Sequence, residues 1–261
     1  MSDIARGAAN PPRLDILDPK RLTVATVKGP KQDRGALDGM IVEIELTLVS
    51  IIQGVALTML IESAHEVIAG TQLLFWPYVL AGLLIIFVFW SRAVLHILTL
   101  IRWPIELGHN FLYIGCALLE AILFAQLAKP GRWFGFGAAF MAAGWLLFVY
   151  DLRLIHTRMD DSAGAASNRL YALVRRDQWL NIALLLPGVF ALNAGCAMSI
   201  HAWPQFFIER NGHLWLVALQ LAGFIGYLLY VVRFFATVAP LIAHARAEWR
   251  EASEMESVDQ Q

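Results

Sequence analysis

The amino-acid sequence predicts an all-α integral membrane protein, a bundle of six transmembrane helices with both termini in the cytoplasm. Six long apolar runs, a shortage of charge, and a one-sided placement of Lys and Arg carry that prediction. The chain is 58% hydrophobic and only 16% charged, whereas soluble domains hold roughly 45–50% apolar and about 25% charged residues. The formal net charge of −1 excludes nucleic acid as a partner, because that needs a strongly basic surface. Cys116 and Cys196 both fall inside apolar runs, too few for a disulfide framework and best read as small buried hydrophobes.

Residues 1–36 form a polar cytoplasmic tail with Pro11, Pro12, Pro30 and seven Lys/Arg, extended apart from a short strand at Leu22–Val27. A transmembrane domain at 37–240 follows, with helices at about 40–61, 73–101, 105–127, 134–150, 179–200 and 214–236. A bilayer core about 30 Å thick needs roughly 20 helical residues, and each run approaches that. Helices satisfy every backbone group internally in lipid, and no run shows the period-2 alternation of a membrane barrel. Residues 151–178 read as a basic cytoplasmic loop, and 241–261 as a cytoplasmic C-terminal helix with an acidic tail. Within the loop, Asn168 caps a short helix whose residues 170, 171, 173 and 174 meet the lipid interface, while its arginines meet anionic lipids.

Orientation follows from the basic residues. With the N-terminus inside, 17 of the 20 Lys and Arg fall on the cytoplasmic side, against Lys129, Arg132 and Arg210 outside. Trp76, Tyr78, Trp133, Trp203 and Trp215 lie at outer ends and Trp103, Tyr150 and Trp179 at inner ends, the belt that amphipathic rings form at both interfaces. The expected location is the cell membrane as a multi-pass protein, the inner membrane for a bacterial chain, with a homo-oligomer or a membrane partner subunit as the expected assembly.

Ionisable side chains inside a span are expensive and point to function. Near the inner side lie Glu43 and Glu45 of the first helix, Arg92 and His96 of the second, and Glu106, His109 and Asn110 of the third. Arg92 and His96 share a helix face, as do Glu106, His109 and Asn110. Glu43 and Glu45 point roughly 200° apart, so only one of them faces a given neighbour. The expectation is a network joining these three helices, with Arg92 paired to Glu43, Glu45 or Glu106. An outer cluster, Glu62, His65 and Glu66, shares one face of the first helix. Glu120 stands alone in its apolar run and needs a partner from another helix, a water-filled cavity or a proton. Gln53 and Asn193 add polar groups at mid-depth, and Pro187 frees a backbone carbonyl. Gly135, Ala139 and Ala143 give the fourth helix a small-residue face for close packing.

Two Glu-x-x-His pairs, Glu62–His65 and Glu106–His109, resemble di-iron ligands, but they fall at opposite membrane faces. His96 and His109 lie at one level, so haem ligation stays open. The chain has no Gly-x-Ser-x-Gly, His-Glu-x-x-His or Cys-x-x-Cys. No cofactor is expected, and a metal is undetermined. A repeat of Trp-Pro followed by Gly-His, at Trp103-Pro104 and Trp203-Pro204, is the sole echo between the two halves. Arg34–Leu48 resembles the start of the first helix in potassium channels whose hallmark is Phe-Ser-Asp. Here the stretch reads Ala36-Leu37-Asp38-Gly39, and Glu43 and Glu45 stand where that helix is apolar, so the chain is not assigned to that family.

The first functional reading is a channel or transporter moving an ion, proton or small solute past the acidic and histidine groups of helices 1–3, with no catalytic residue. The second is a non-catalytic membrane subunit or sensor that binds a partner protein, its buried charges fixing helix register. The third is a haem- or metal-bearing membrane oxidoreductase.

Overall fold

The computed structural model describes residues 32–70, 72–100, 107–160 and 164–258. Among the described residues there are seven α-helices: α1 (Gln32–Ala69), α2 (Trp76–Leu100), α3 (Leu107–Phe124), α4 (Pro130–Asp160), α5 (Ala165–Leu180), α6 (Leu186–Ala202) and α7 (His213–Val258). No strand occurs among the described residues. The expected strand at Leu22–Val27, Glu106 and the Trp103-Pro104 pair lie outside them. Six helical stretches are long and apolar enough to cross a membrane, with α5 and α6 joined into one of them, Ala165–Ala202. The protein is a multi-pass membrane protein.

Burial runs opposite to that of a soluble domain. Large apolar side chains point outward, among them Phe111, Leu118, Met198, Trp215 and Val232. Glu45, Gln53, Arg92, His96, His109, Glu120, Asp151, Asp177, Asn181, Asn193 and Gln220 are buried. Lipid replaces water as the outer solvent, so apolar groups face out at no cost while each polar group seeks a partner inside.

Two clusters make the interior. The larger runs through α1–α4, α6 and α7 around Tyr78, Phe89, Tyr113, Phe124, Trp133 and Phe134. The smaller, at the end expected to face the cytoplasm, joins Leu95 and Leu100 of α2, Ile155 of α4, Leu170, Tyr171 and Val174 of α5, and Val238, Ile242 and Ala245 of α7.

That second cluster revises the expected loop at 151–178. Helix α4 continues to Asp160 and α5 starts at Ala165, so ordered helix replaces most of the loop. Asn168 lies inside α5 instead of capping it; the N-cap position is Gly164. Leu170, Tyr171 and Val174 are buried in protein instead of lying at a lipid interface, while Arg169, Arg175 and Arg176 stay exposed. The carboxylate of Glu248 accepts the backbone N–H groups of Ala166 (3.0 Å) and Ser167 (3.2 Å). It thereby satisfies donors left open in the first turn of α5, where the helix dipole favours an anion. The C-terminal segment is not a separate helix either: α7 runs unbroken through Pro240 to Val258.

Between α5 and α6 the helix widens into a π turn at Asn181–Leu185, closed by the Leu186 N–H bonding to the Asn181 carbonyl. Pro187 follows directly, and its ring has no N–H and crowds the carbonyl four residues back, so the widened turn relieves that clash. The small-residue face of α4 is also revised. Gly135 and Ala139 are exposed, and the close approach to α6 is made by Gly137, where an added Cβ would stand 2.7 Å from the Asn193 side-chain oxygen.

Candidate functional site

The buried face of α3 reads His109, Tyr113, Cys116, Ala117 and Glu120, steps of three and four residues that place them along one side of the helix. From His109 to Glu120 the rise is about 16 Å, half the thickness of a bilayer core. Polar groups of three other helices meet this face at both ends.

At mid-depth, Gln53 of α1 donates through Nε2 to Glu120 Oε2 at 3.2 Å and to the Tyr113 hydroxyl at 3.3 Å. Glu120 is fully buried, and its Oε1 has no hydrogen-bond partner among the described residues; neither has Gln53 Oε1. The partner that the isolated acid requires is therefore a neutral amide.

At the end expected to face the cytoplasm, Asp151 of α4 sits between two histidines. His109 Nδ1 lies 2.8 Å from Asp151 Oδ1, and His96 Nδ1 of α2 lies 3.2 Å from Asp151 Oδ2. The two imidazole rings stack, 4.2 Å between centroids and 7° from parallel. The histidine ring of α3 stacks in turn near Tyr113, at 6.4 Å, so the cluster is continuous with the mid-depth group. The ligand atoms of His96, His109 and Asp151 all lie within 4.8 Å of one another, close enough to hold one metal ion. A haem between the two histidines is ruled out by the same stacking, since a macrocycle has no room between parallel rings 4.2 Å apart.

Beside this cluster stands the pair that orders the inner end. Arg92 Nη2 donates to Asp177 Oδ2 of α5 at 2.6 Å, and both side chains are buried. The hydroxyl of Tyr230 on α7 donates to Asp177 Oδ1 at 2.6 Å. Asn181, at the π turn, donates to the Asp177 carbonyl at 2.8 Å and accepts from the Tyr227 hydroxyl at 2.6 Å. The guanidinium carbon lies 5.0 Å from the Phe148 ring centre, a cation–π contact.

The expected partners of Arg92 were Glu43, Glu45 or Glu106, and the structure corrects this to Asp177. Glu45 is buried and accepts from Asn110 Nδ2 at 2.8 Å, so one of the two acids faces α3 as its spacing required. Glu43 is exposed, as are Glu62, His65 and Glu66, which form no ion pair among the described residues. The outer cluster shares a helix face, but that face looks away from the bundle.

Asp151 and Asp177 are the buried charged residues of the candidate site and its support that the sequence reading missed. Each borders an apolar run and was assigned to the basic loop. The available signal was helical spacing: Asp151 lies four residues before Ile155 and Asp177 three after Val174, on the buried faces of helices that outlast the hydropathy window.

Comparison with protein-family models, with curated proteins and with solved structures returns no match, so function rests on the residues of this chain alone.

Proposed function

We propose that the protein moves protons or small cations across its membrane, with the buried face of α3 as half of the path. The observation that carries this reading is the polar ladder itself. Asp151, His96 and His109 lie at one end, Tyr113 and Gln53 at the middle, and Glu120 at the other end. Every member is a group that binds or relays a cation, and such groups inside a membrane mark ion and proton routes. Glu120 in addition presents a buried carboxyl oxygen that no described residue satisfies, a valence open to a proton or cation.

Beyond Glu120 the path is closed. Leu60, Leu123, Phe124, Leu127 and Trp133 are buried there, and Gly82 packs so tightly that an added Cβ would stand 2.7 Å from Leu60 Cδ1 and 3.2 Å from Phe124 Cε1. This apolar plug has to part for a cation to pass, which favours a carrier with alternating access over an open pore. On the basis of the Lys and Arg distribution, the histidine end faces the cytoplasm.

The test is flux in sealed liposomes containing the purified protein, driven by a pH or potassium gradient. Glu120→Gln keeps shape and hydrogen bonding but fixes the neutral state; Glu120→Asp keeps the acid on a shorter arm. The Gln variant is expected to fold normally and lose pH-dependent flux, and the Asp variant to retain part of it. Wild-type flux in the Gln variant at every pH would contradict the proposal.

A further inference from the structure

The geometry points to His96, His109 and Asp151 as a binding site for one borderline divalent transition-metal cation of the Zn²⁺ or Mn²⁺ class, at the end of the path expected to face the cytoplasm. The inference names the ion for the proposed pathway and rests on that reading for its meaning, although binding itself is measured without flux.

Three observations carry it. The first is the donor set. Tetrahedral metal–ligand bonds of about 2.0–2.2 Å place neighbouring donor atoms roughly 3.3 Å apart. Here the histidine nitrogens stand 2.8 and 3.2 Å from the two carboxylate oxygens, and all three ligand atoms fit within 4.8 Å. That bound is wider than tetrahedral spacing, so rotation of the stacked rings about their side-chain bonds has to close it. The donors come from α2, α3 and α4, three packed helices, so the arrangement is held by the fold. Two imidazoles and a carboxylate suit Zn²⁺, Mn²⁺, Fe²⁺ or Co²⁺, are too nitrogen-rich for Mg²⁺ or Ca²⁺, and lack the thiolates that Cu⁺ prefers.

The second observation is space. His96, His109 and Asp151 line a void of about 30 Å³, bordered also by Thr99, Tyr113 and Gln178. That exceeds the ~10–15 Å³ needed to place a water molecule, so the fourth coordination position has room for one.

The third is charge. Arg92 borders the same void, but its charge is matched by Asp177. Among the described residues no Lys or Arg pairs with Asp151, so its buried carboxylate is an anionic donor that a metal ion balances. Metal binding requires each Nδ1 to give up its hydrogen, which moves to the other ring nitrogen. His96 Nε2 has no partner among the described residues, so nothing opposes that exchange from the far side of the ring.

The test uses the full chain purified in detergent, stripped with chelator, and titrated with Zn²⁺ by calorimetry and with Co²⁺ by visible absorption. One ion per chain is expected, with Co²⁺ bands of four-coordinate intensity. His96→Gln and Asp151→Asn should each weaken Zn²⁺ binding by more than about 100-fold, beyond the 10–100-fold typical of outer-sphere changes. A variant with the exposed His65 and His201 replaced by Gln is the control for surface binding and should bind as wild type does. If the Asp151 variant fails to fold, His96→Gln and the wild-type stoichiometry still decide. Absence of Zn²⁺ and Co²⁺ binding in the wild type, or binding abolished only in the surface-histidine control, overturns the metal site. Proton flux without metal binding would sink this inference and leave the pathway standing. Binding without flux of protons or Zn²⁺ would do the reverse.

Discussion

Arg92 and Glu120 are both buried charges-in-waiting inside apolar helices, yet the protein treats them in opposite ways. Around Arg92 and Asp177, three helices and the π turn contribute: both Asp177 carboxylate oxygens are bonded, by Arg92 and Tyr230, and its carbonyl by Asn181. Around Glu120, one weakly placed amide is the hydrogen-bond complement among the described residues, and one carboxyl oxygen is left over. The Asp177 carboxylate is fully bonded and costly to unpair, although Arg92 keeps Nε and Nη1 without a partner among the described residues. An undersaturated acid contributes little to the fold and keeps a binding valence open. The contrast separates a carboxylate held by its neighbours from one left open for the proposed transport.

The largest expected effect follows from cutting the Arg92–Asp177 pair. Arg92→Ala leaves Asp177 buried and uncompensated, at a cost of about 3–5 kcal/mol. Thermal unfolding in detergent should show a strong loss for Ala and a smaller one for Arg92→Lys, which keeps the charge but not the planar fork. A shift within error for Ala would show that the pair is not buried in the folded protein.

An intermediate effect belongs to the outer support of the same pair. Tyr230→Phe removes one hydrogen bond to a charged acceptor, worth about 1.5–3 kcal/mol, while Arg92 still neutralises Asp177. A loss as large as that of Arg92→Ala would mean that hydroxyl and guanidinium act as one inseparable unit, and the ranking would need revision.

The smallest effect on stability is expected at Glu120. In Glu120→Gln the amide oxygen still accepts from Gln53, so unfolding should shift by less than about 0.5 kcal/mol. A loss above about 2 kcal/mol would make Glu120 a structural charge like Asp177 and erase the distinction between the two regions.

The sequence showed unequally much of this. Arg92, His96, His109 and Glu120 were legible because a charged or histidine residue inside an apolar run has no other reading than burial with a partner or a function. Helical spacing showed that only one of Glu43 and Glu45 faces a given neighbour, and tertiary packing makes it Glu45. The partner of Arg92 was hidden for a physical reason. Hydropathy marks where lipid contact ends, whereas α4 and α5 continue as helices past that point, buried by the Leu95–Ile155–Tyr171–Val238 cluster. Asp151 and Asp177 sit in that extension. The exposed Glu62, His65 and Glu66 show the converse limit: periodicity fixes which residues share a face, and only tertiary packing fixes where the face points.

The proposed path along α3 can be probed from within, because Cys116 is buried on the same face between Tyr113 and Glu120. Cys196 is the one other cysteine in the chain, so Cys196→Ser leaves Cys116 as a single internal thiol. Flux through liposomes containing this variant should be blocked by silver ion, which is small enough to follow a cation route and binds thiolate tightly. The Cys116→Ser, Cys196→Ser double variant should conduct and resist the block. Flux that silver leaves untouched in the single variant would place the route elsewhere in the bundle and contradict the assignment of the α3 face as the path.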